Sequence, residues 1–198
     1  MKNTTKMLFA LMLVIGMTNL GQAQAKWNLD NAHSSVKFTV THMVISEVEG
    51  SFKTFTGTID AAKPDFSGAT VDFSVDVNSI STDNEMRDKH LKSDDFFNAE
   101  KFPKMTFKSI SFKKLTPKTY ELTGNLTLRD VTKKVKFNVT YGGTAKDPYG
   151  NTKAGFKATA VIDRLVYGLK WNTLTEAGGA MVGKDVTITL NLEFAQAK

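Results

Sequence analysis

The chain has 198 residues, 41% of them hydrophobic and 23% charged, with a formal net charge of +6 and no cysteine. The missing thiols exclude a disulfide framework, a cysteine zinc site and a thiol-linked lipid anchor. The lysines are spread along the chain rather than gathered in one basic arm, which argues against nucleic-acid binding.

The N-terminus reads as a signal peptide over residues 1–25. Lys2 and Lys6 supply a basic start, Leu8 to Met17 is an apolar run interrupted only by Gly16, and Ala23-Gln24-Ala25 offers a small-x-small cleavage site. Export would remove both lysines and leave 24 basic against 20 acidic residues. No later segment approaches the roughly 20 consecutive apolar residues a membrane helix needs, so stable membrane insertion is not expected. Residues 26–198 are a suitable length for one domain.

Trp27 to Asp30 suits a short leading strand, and eight segments of period two follow it. The first, His33 to His42, places Ser34, Val36, Phe38, Val40 and His42 on one face. The second spans Glu49 to Ala61, where Phe52 falls out of step with Phe55, Gly57 and Ile59, predicting a bulge near Lys53 or Thr54. In the third, Ala69, Val71, Phe73, Val75 and Val77 alternate with polar partners. Asp83 to Pro103 then breaks the period and reads as partly helical, with Met86, His90 and Leu91 on one face and Phe96 and Phe97 turned inward.

The fourth strand, Lys104 to Leu115, changes phase between Phe107 and Ile110, which predicts a second bulge. Thr119 to Leu128 and Lys133 to Gly142 form the fifth and sixth. The seventh carries Phe156, Ala158, Ala160 and Ile162, and the eighth Val186, Ile188, Leu190, Leu192 and Phe194; between them Tyr167 to Gly183 reads as a mobile glycine-rich loop. The class is all-β: an eight-stranded antiparallel barrel with a short helical insertion between strands three and four. An outer-membrane barrel would turn its apolar face outward and crowd Lys37, Lys53, Lys108, Lys134, Lys136 and Lys157 into a narrow lumen, which disfavours it.

Little in the chain points to catalysis or a metal. His33 and His42 lie nine positions apart, roughly 30 Å along a regular strand, and on opposite faces, so each is expected to make its own structural hydrogen bonds. His90 lies among Asp83, Glu85, Asp88, Asp94 and Asp95, but the spacing lacks the glycine and terminal glutamate of a calcium loop; a solvated acidic face accounts for it. The run Gly178 to Lys184 resembles a phosphate-binding loop but ends in Asp185 and leads into a strand. The chain is therefore read as a non-enzyme with no cofactor and no metal.

The 14 phenylalanines lie mostly on apolar strand faces. Composition alone favours a filled core; the alternative is a wall around a long apolar ligand, with Gly124, Gly155, Ala158 and Ala160 leaving room for it.

The motifs in order are Trp27-Asn28-Leu29-Asp30, His33-Ser34, Gly50-x-Phe52, Phe55-x-Gly57-x-Ile59 and Ser79-Ile80-x-Thr82. They continue with Arg87-Asp88-x-His90-Leu91-x-Ser93-Asp94-x-Phe96-Phe97, Phe102-Pro103, Gly124-x-Leu126-Thr127-Leu128, Ile162-Asp163-Arg164 with Tyr167-Gly168, and Val182-Gly183-x-x-Val186. Together they resemble the YceI-like family of polyisoprenoid-binding proteins. The resemblance implies a lipocalin-like barrel in the periplasm, often a homodimer, that holds an isoprenoid chain such as a polyprenyl phosphate or a quinone tail. One departure is Arg129-Asp130, where the family often has His-Gly.

The resemblance names no contact residues. Alternation makes Phe38, Val40, Phe73, Val75, Phe107, Leu126, Phe137, Phe156, Ala158 and Ile162 the wall candidates, with Phe96 and Phe97 capping one end. Arg87, His90 and Arg164 are candidates for a head group, or equally for tying the insertion to the barrel. Two other readings remain open. One is a filled barrel working through its surface as a secreted interaction or stress-response module; the other is an enzyme using His90 or His42 as a base.

Overall fold

The computed structural model describes residues 24–174 and 178–198. The expected leader lies outside these residues apart from Gln24 and Ala25. The strands are β1 (Ala25–Leu29), β2 (Ser35–His42), β3 (Ser46–Phe52), β4 (Phe55–Ala61), β5 (Thr70–Asp76), β6 (Ile80–Ser81), β7 (Lys104–Lys114), β8 (Thr119–Leu128), β9 (Val131–Lys146), β10 (Thr152–Asp163) and β11 (Val182–Gln196). One helix, α1 (Glu85–Lys92), falls between β6 and β7. No helix among the described residues is long and apolar enough to cross a membrane.

Alternation produces the strands, and two interruptions set how they join. β11 pairs with β10 on one side; on the other it pairs first with β2, Val36 opposite Leu190, and then with β1, Leu29 opposite Phe194. β1 and β2 are thus one stave broken by a 3-10 turn at Asn31–His33, and β3 and β4 are a second stave broken at Lys53–Thr54. With β5, β7, β8, β9, β10 and β11 they close an eight-stranded antiparallel barrel. Closure pairs most strand edges; among the described residues β3 is paired on its side away from β2 only at Ser51 and Phe52.

Each break has a local cause. Asp30 caps the 3-10 turn by accepting a hydrogen bond from the Ala32 N–H, so the strand starts at Ser35 rather than at His33 as the alternation suggested. At the other break, Lys53 N–H donates to the Ser79 carbonyl and Thr54 N–H to Ser79 Oγ. This extra residue pair lets both Phe52 and Phe55 face inward, each 5% exposed. The phase change in β7 is a bulge between Ser109 and Ser111, with Ser109 Oγ accepting from the Val71 N–H and Ile110 turned to solvent.

One end of the barrel is plugged by aromatic rings. Phe66 packs 5.1 Å from both Trp27 and Phe156, Phe112 packs 4.8 Å from Tyr120, and Phe194 closes on Phe156 at 6.1 Å. The Tyr120 hydroxyl donates to the Asp65 carbonyl at 2.6 Å, so its polar tip is satisfied inside the plug. Phe156, a wall candidate by alternation, belongs to this plug, because the bulge at Gly155–Phe156 and the ring of Phe66 place it there.

A charge cluster fastens the β1 end to β10 and β11. Asp30, His33 and Glu193 lie together, and the Lys153 ammonium reaches Asp30 at 2.5 Å and Glu193 at 3.2 Å. The Lys153 hydrogen bond holds the Asp30 carboxyl down at about 2, and the same contact raises Lys153. Because the folded-state value is depressed, this stabilisation is complete above the ordinary carboxylate value near 3.8 and is lost as pH falls towards 2. The expected result for Asp30→Asn is lower stability at pH 7 and a shallower loss of stability between pH 4 and pH 2, read from urea midpoints; equal acid slopes in both proteins would count against it.

Candidate functional site: an apolar tunnel

The half of the barrel away from the plug is not filled. A cavity of about 180 Å3 runs inside it, bordered almost entirely by apolar side chains from β2, β5, β7, β8, β9, β10 and β11. On β11 alone, Val186, Ile188, Leu190 and Leu192 face it. Those six residue steps at about 3.3 Å each give a length of roughly 20 Å.

The void persists in a phenylalanine-rich interior because three rings lie against the wall instead of crossing the lumen. Phe38 rests on Gly50 and Phe73 on Gly57, each pair directly opposite across two strands, and Phe107 rests on Gly124 diagonally across β7 and β8. A Cβ at Gly57 would sit 2.6 Å from the Phe73 ring, and one at Gly50 or Gly124 would run into Phe38 or Phe107. Gly124 therefore lodges a wall ring and does not itself leave space for a ligand. Ala158 does face the cavity, whereas Gly155 sits towards the plug opposite Gly143.

Nine of the ten wall candidates border the cavity: Phe38, Val40, Phe73, Val75, Phe107, Leu126, Phe137, Ala158 and Ile162. Phe156 is the exception. The four β11 residues, and Val182 at the start of the same strand, were not among the wall candidates, although the period-two pattern of the four matched that of the strands that were chosen. Val71, Met105 and Leu122 were passed over in the same way.

The unplugged end is covered by α1 with the segment after it, and by the connection from β10 to β11. Asn84 caps α1 by accepting from the Arg87 N–H, and Leu91, Phe96 and Phe97 reach the cavity. Met86 does not share that face; it is 83% exposed. His90 Nε2 donates to Asp95 Oδ2, 2.9 Å away, and its ring meets the rings of Phe96 and Trp171 edge-on. Arg87 is spent on Thr82, with Nε to Oγ1 and Nη2 to the carbonyl both at 2.7 Å. Both side chains tie the insertion down and neither borders the cavity.

Arg164 does border it and is 3% exposed. Its guanidinium donates to four backbone carbonyls, those of Leu169 (2.6 Å), Gly183 (2.8 Å), Trp171 (2.9 Å) and Val182 (3.0 Å). Burial pulls its pKa down, and no carboxylate lies within 4.0 Å of it among the described residues. The segment expected to be a mobile loop is thus fastened at both of its ends, with residues 175–177 outside the described set. Beside it, the Tyr167 hydroxyl is buried without a hydrogen-bond partner among the described residues, and burial pushes its pKa up to about 12.

Arg129 adds a second clasp. Leu128 pairs with Val131 across a two-residue turn whose central residues, Arg129 and Asp130, both have positive φ. From that tip Arg129 donates to the carbonyls of Phe96 (2.6 Å), Asp94 (2.9 Å) and Gly168 (3.0 Å), joining the hairpin, the insertion and the β10–β11 connection. The two histidines of the first strand play no part in the site. His33 bonds Asp30, and the expected hydrogen bond from the His42 ring is absent among the described residues.

The YceI-like domain model matches residues 27–194, and the chain belongs to the YceI-like family. A UPF0312 protein of Staphylococcus aureus (strain USA300) is 38% identical over 172 residues, covering 85% of this chain and 96% of that protein. The Campylobacter jejuni YCEI protein superposes with a TM-score of 0.67 at 31% identity, over 80% of this chain and 90% of that one. A polyisoprenoid binding domain from Saccharophagus degradans shares the fold, with a TM-score of 0.62 at 15% identity over 86% of this chain and 98% of that one.

Proposed function

We propose that the protein is an exported, non-enzymatic carrier or store that holds a long isoprenoid lipid in its barrel. The observation that carries this reading is the cavity inside the barrel, bordered almost entirely by apolar side chains. Such a bore suits a ligand recognised by its chain, since each buried methylene contributes roughly 0.8 kcal/mol without any polar partner. The shared fold of the Saccharophagus degradans domain, named for polyisoprenoid binding, supports the same ligand class. Arg164 is the one head-group candidate that borders the cavity. Among the described residues, four of its five N–H groups donate to carbonyls, and the buried positive charge with the remaining donor suits an anionic or carbonyl head. The signal-like residues 1–25 and the β1 strand that starts at Ala25 fit removal of a leader at the edge of the barrel.

Native mass spectrometry of protein gently purified from its own host tests this directly. The expected result is a bound species of discrete mass whose extract contains an isoprenoid, together with thermal stabilisation on adding a long-chain polyprenol. Repeated isolation of empty protein that no isoprenoid stabilises would favour the filled-barrel interaction module instead.

A further inference from the structure

The connection between β2 and β3 combines two costly features. Met43 and Val44, its central residues, have φ of 52° and 68°, and Ile45 N–H closes the turn on the His42 carbonyl. Such turns are built cheaply from Asn-Gly, whereas a β-branched valine in the left-handed region is strained. The same three residues also point apolar side chains into water, with Met43 40%, Val44 66% and Ile45 83% exposed. None of the three belongs to the hydrophobic core clusters of the described residues.

Their position is what gives them meaning. Met43 N–H donates to the Met181 carbonyl and His42 pairs with Val182, so the tip adjoins the β10–β11 connection at the unplugged end of the tunnel. That connection adds Leu165, Val166 and Leu174, and together the two segments hold six of the eleven exposed large apolar side chains of the described residues. Val40 and Val182, which border the cavity, lie directly beneath.

We propose that this apolar tip docks the covered, unplugged end of the barrel onto a lipid surface, from which the ligand is taken up or to which it is delivered. The proposal rests on the lipid-binding reading above. Six side chains are far fewer than the roughly 20–30 residues a side that a stable protein interface requires. The tip does suit a bilayer interface, into which apolar side chains sink without needing a complementary shape, giving the weak, reversible attachment that a shuttle requires.

The test compares the leaderless protein with two variants, Val44→Asp/Ile45→Asp and Met43→Asn/Val44→Gly, by flotation with phosphatidylcholine vesicles. Each side chain withdrawn from the bilayer is worth about tenfold in partitioning, so the aspartate pair is expected to bind at least a hundredfold more weakly. The Asn-Gly pair, which also withdraws two apolar side chains, should bind about a hundredfold more weakly while having a higher thermal midpoint, because it relieves the turn. Both variants should still load a polyprenol supplied in detergent, and both should load it slowly from vesicles. Unchanged flotation of the aspartate variant, no flotation of the parent protein, or loss of a dimer rather than of vesicle binding would each overturn the proposal. Failure of all three proteins to load from detergent would instead overturn the lipid-binding reading, with flotation still deciding the docking.

Discussion

Ala158→Phe is expected to abolish lipid loading while raising the thermal midpoint of the empty protein. Ala158 is 4% exposed, lies on β10 between Val139 and Leu190, and faces the cavity. A phenyl ring there projects into the void. Adding bulk to a close-packed core costs about 1–3 kcal/mol. Adding it to an apolar void instead gains contacts on a surface that had none. The ring would displace ligand across the bore, and losing four methylenes of contact at about 0.8 kcal/mol each is roughly 3 kcal/mol, a loss of more than a hundredfold in affinity. Calorimetry of the empty protein and native mass spectrometry of the loaded one read the two effects separately. Undiminished loading would mean the ligand does not occupy this bore.

Arg164→Met should have the largest effect on stability. Methionine keeps the apolar stem and removes all five donors, leaving the carbonyls of Leu169, Trp171, Val182 and Gly183 without their charged partner. Hydrogen bonds to charged groups are worth about 1.5–3 kcal/mol each and are not additive, so a net loss of about 4 kcal/mol is expected. For a chain of this length that is a fall of roughly 8–16 °C in thermal midpoint. The loosening should be local first: trypsin cleavage at the exposed Lys170 should accelerate before the barrel unfolds. Arg164→Lys should recover only part of the loss, because an ammonium has three donors and no planar fork. Equal cleavage rates at Lys170 in the parent and in Arg164→Met would show that the clasp does not hold this segment.

The staves of the barrel were legible in the chain because a period of two is a local property that each strand displays by itself. The breaks were also visible, since Phe52 with Phe55, and Phe107 with Ile110, are out of phase in the sequence before any partner is known. Which inward residues border a void is a different matter. Phe156 and Phe137 have the same local pattern, yet Phe66 arrives from the β4–β5 connection to fill the space in front of one and not the other. The clasps were hidden for the same reason. Arg164 reaches residues as far as 19 positions away and Arg129 as far as 39, so neither role leaves a mark in its neighbours' spacing. Arg87 and His90 stood out in their motif with two readings, head group or attachment of the insertion, and their hydrogen bonds run to Thr82 and Asp95.

The rings of Phe38, Phe73 and Phe107 lie flat because the neighbouring strand has a glycine beneath each one. The calibre of the tunnel is therefore adjustable from behind the wall. A single methyl at Gly50 would tilt Phe38 into the lumen by pushing on the movable end of its side chain, narrowing the bore at one level while every residue that faces the ligand stays the same. Relatives could thus be tuned to thinner or thicker chains by residues that never touch them.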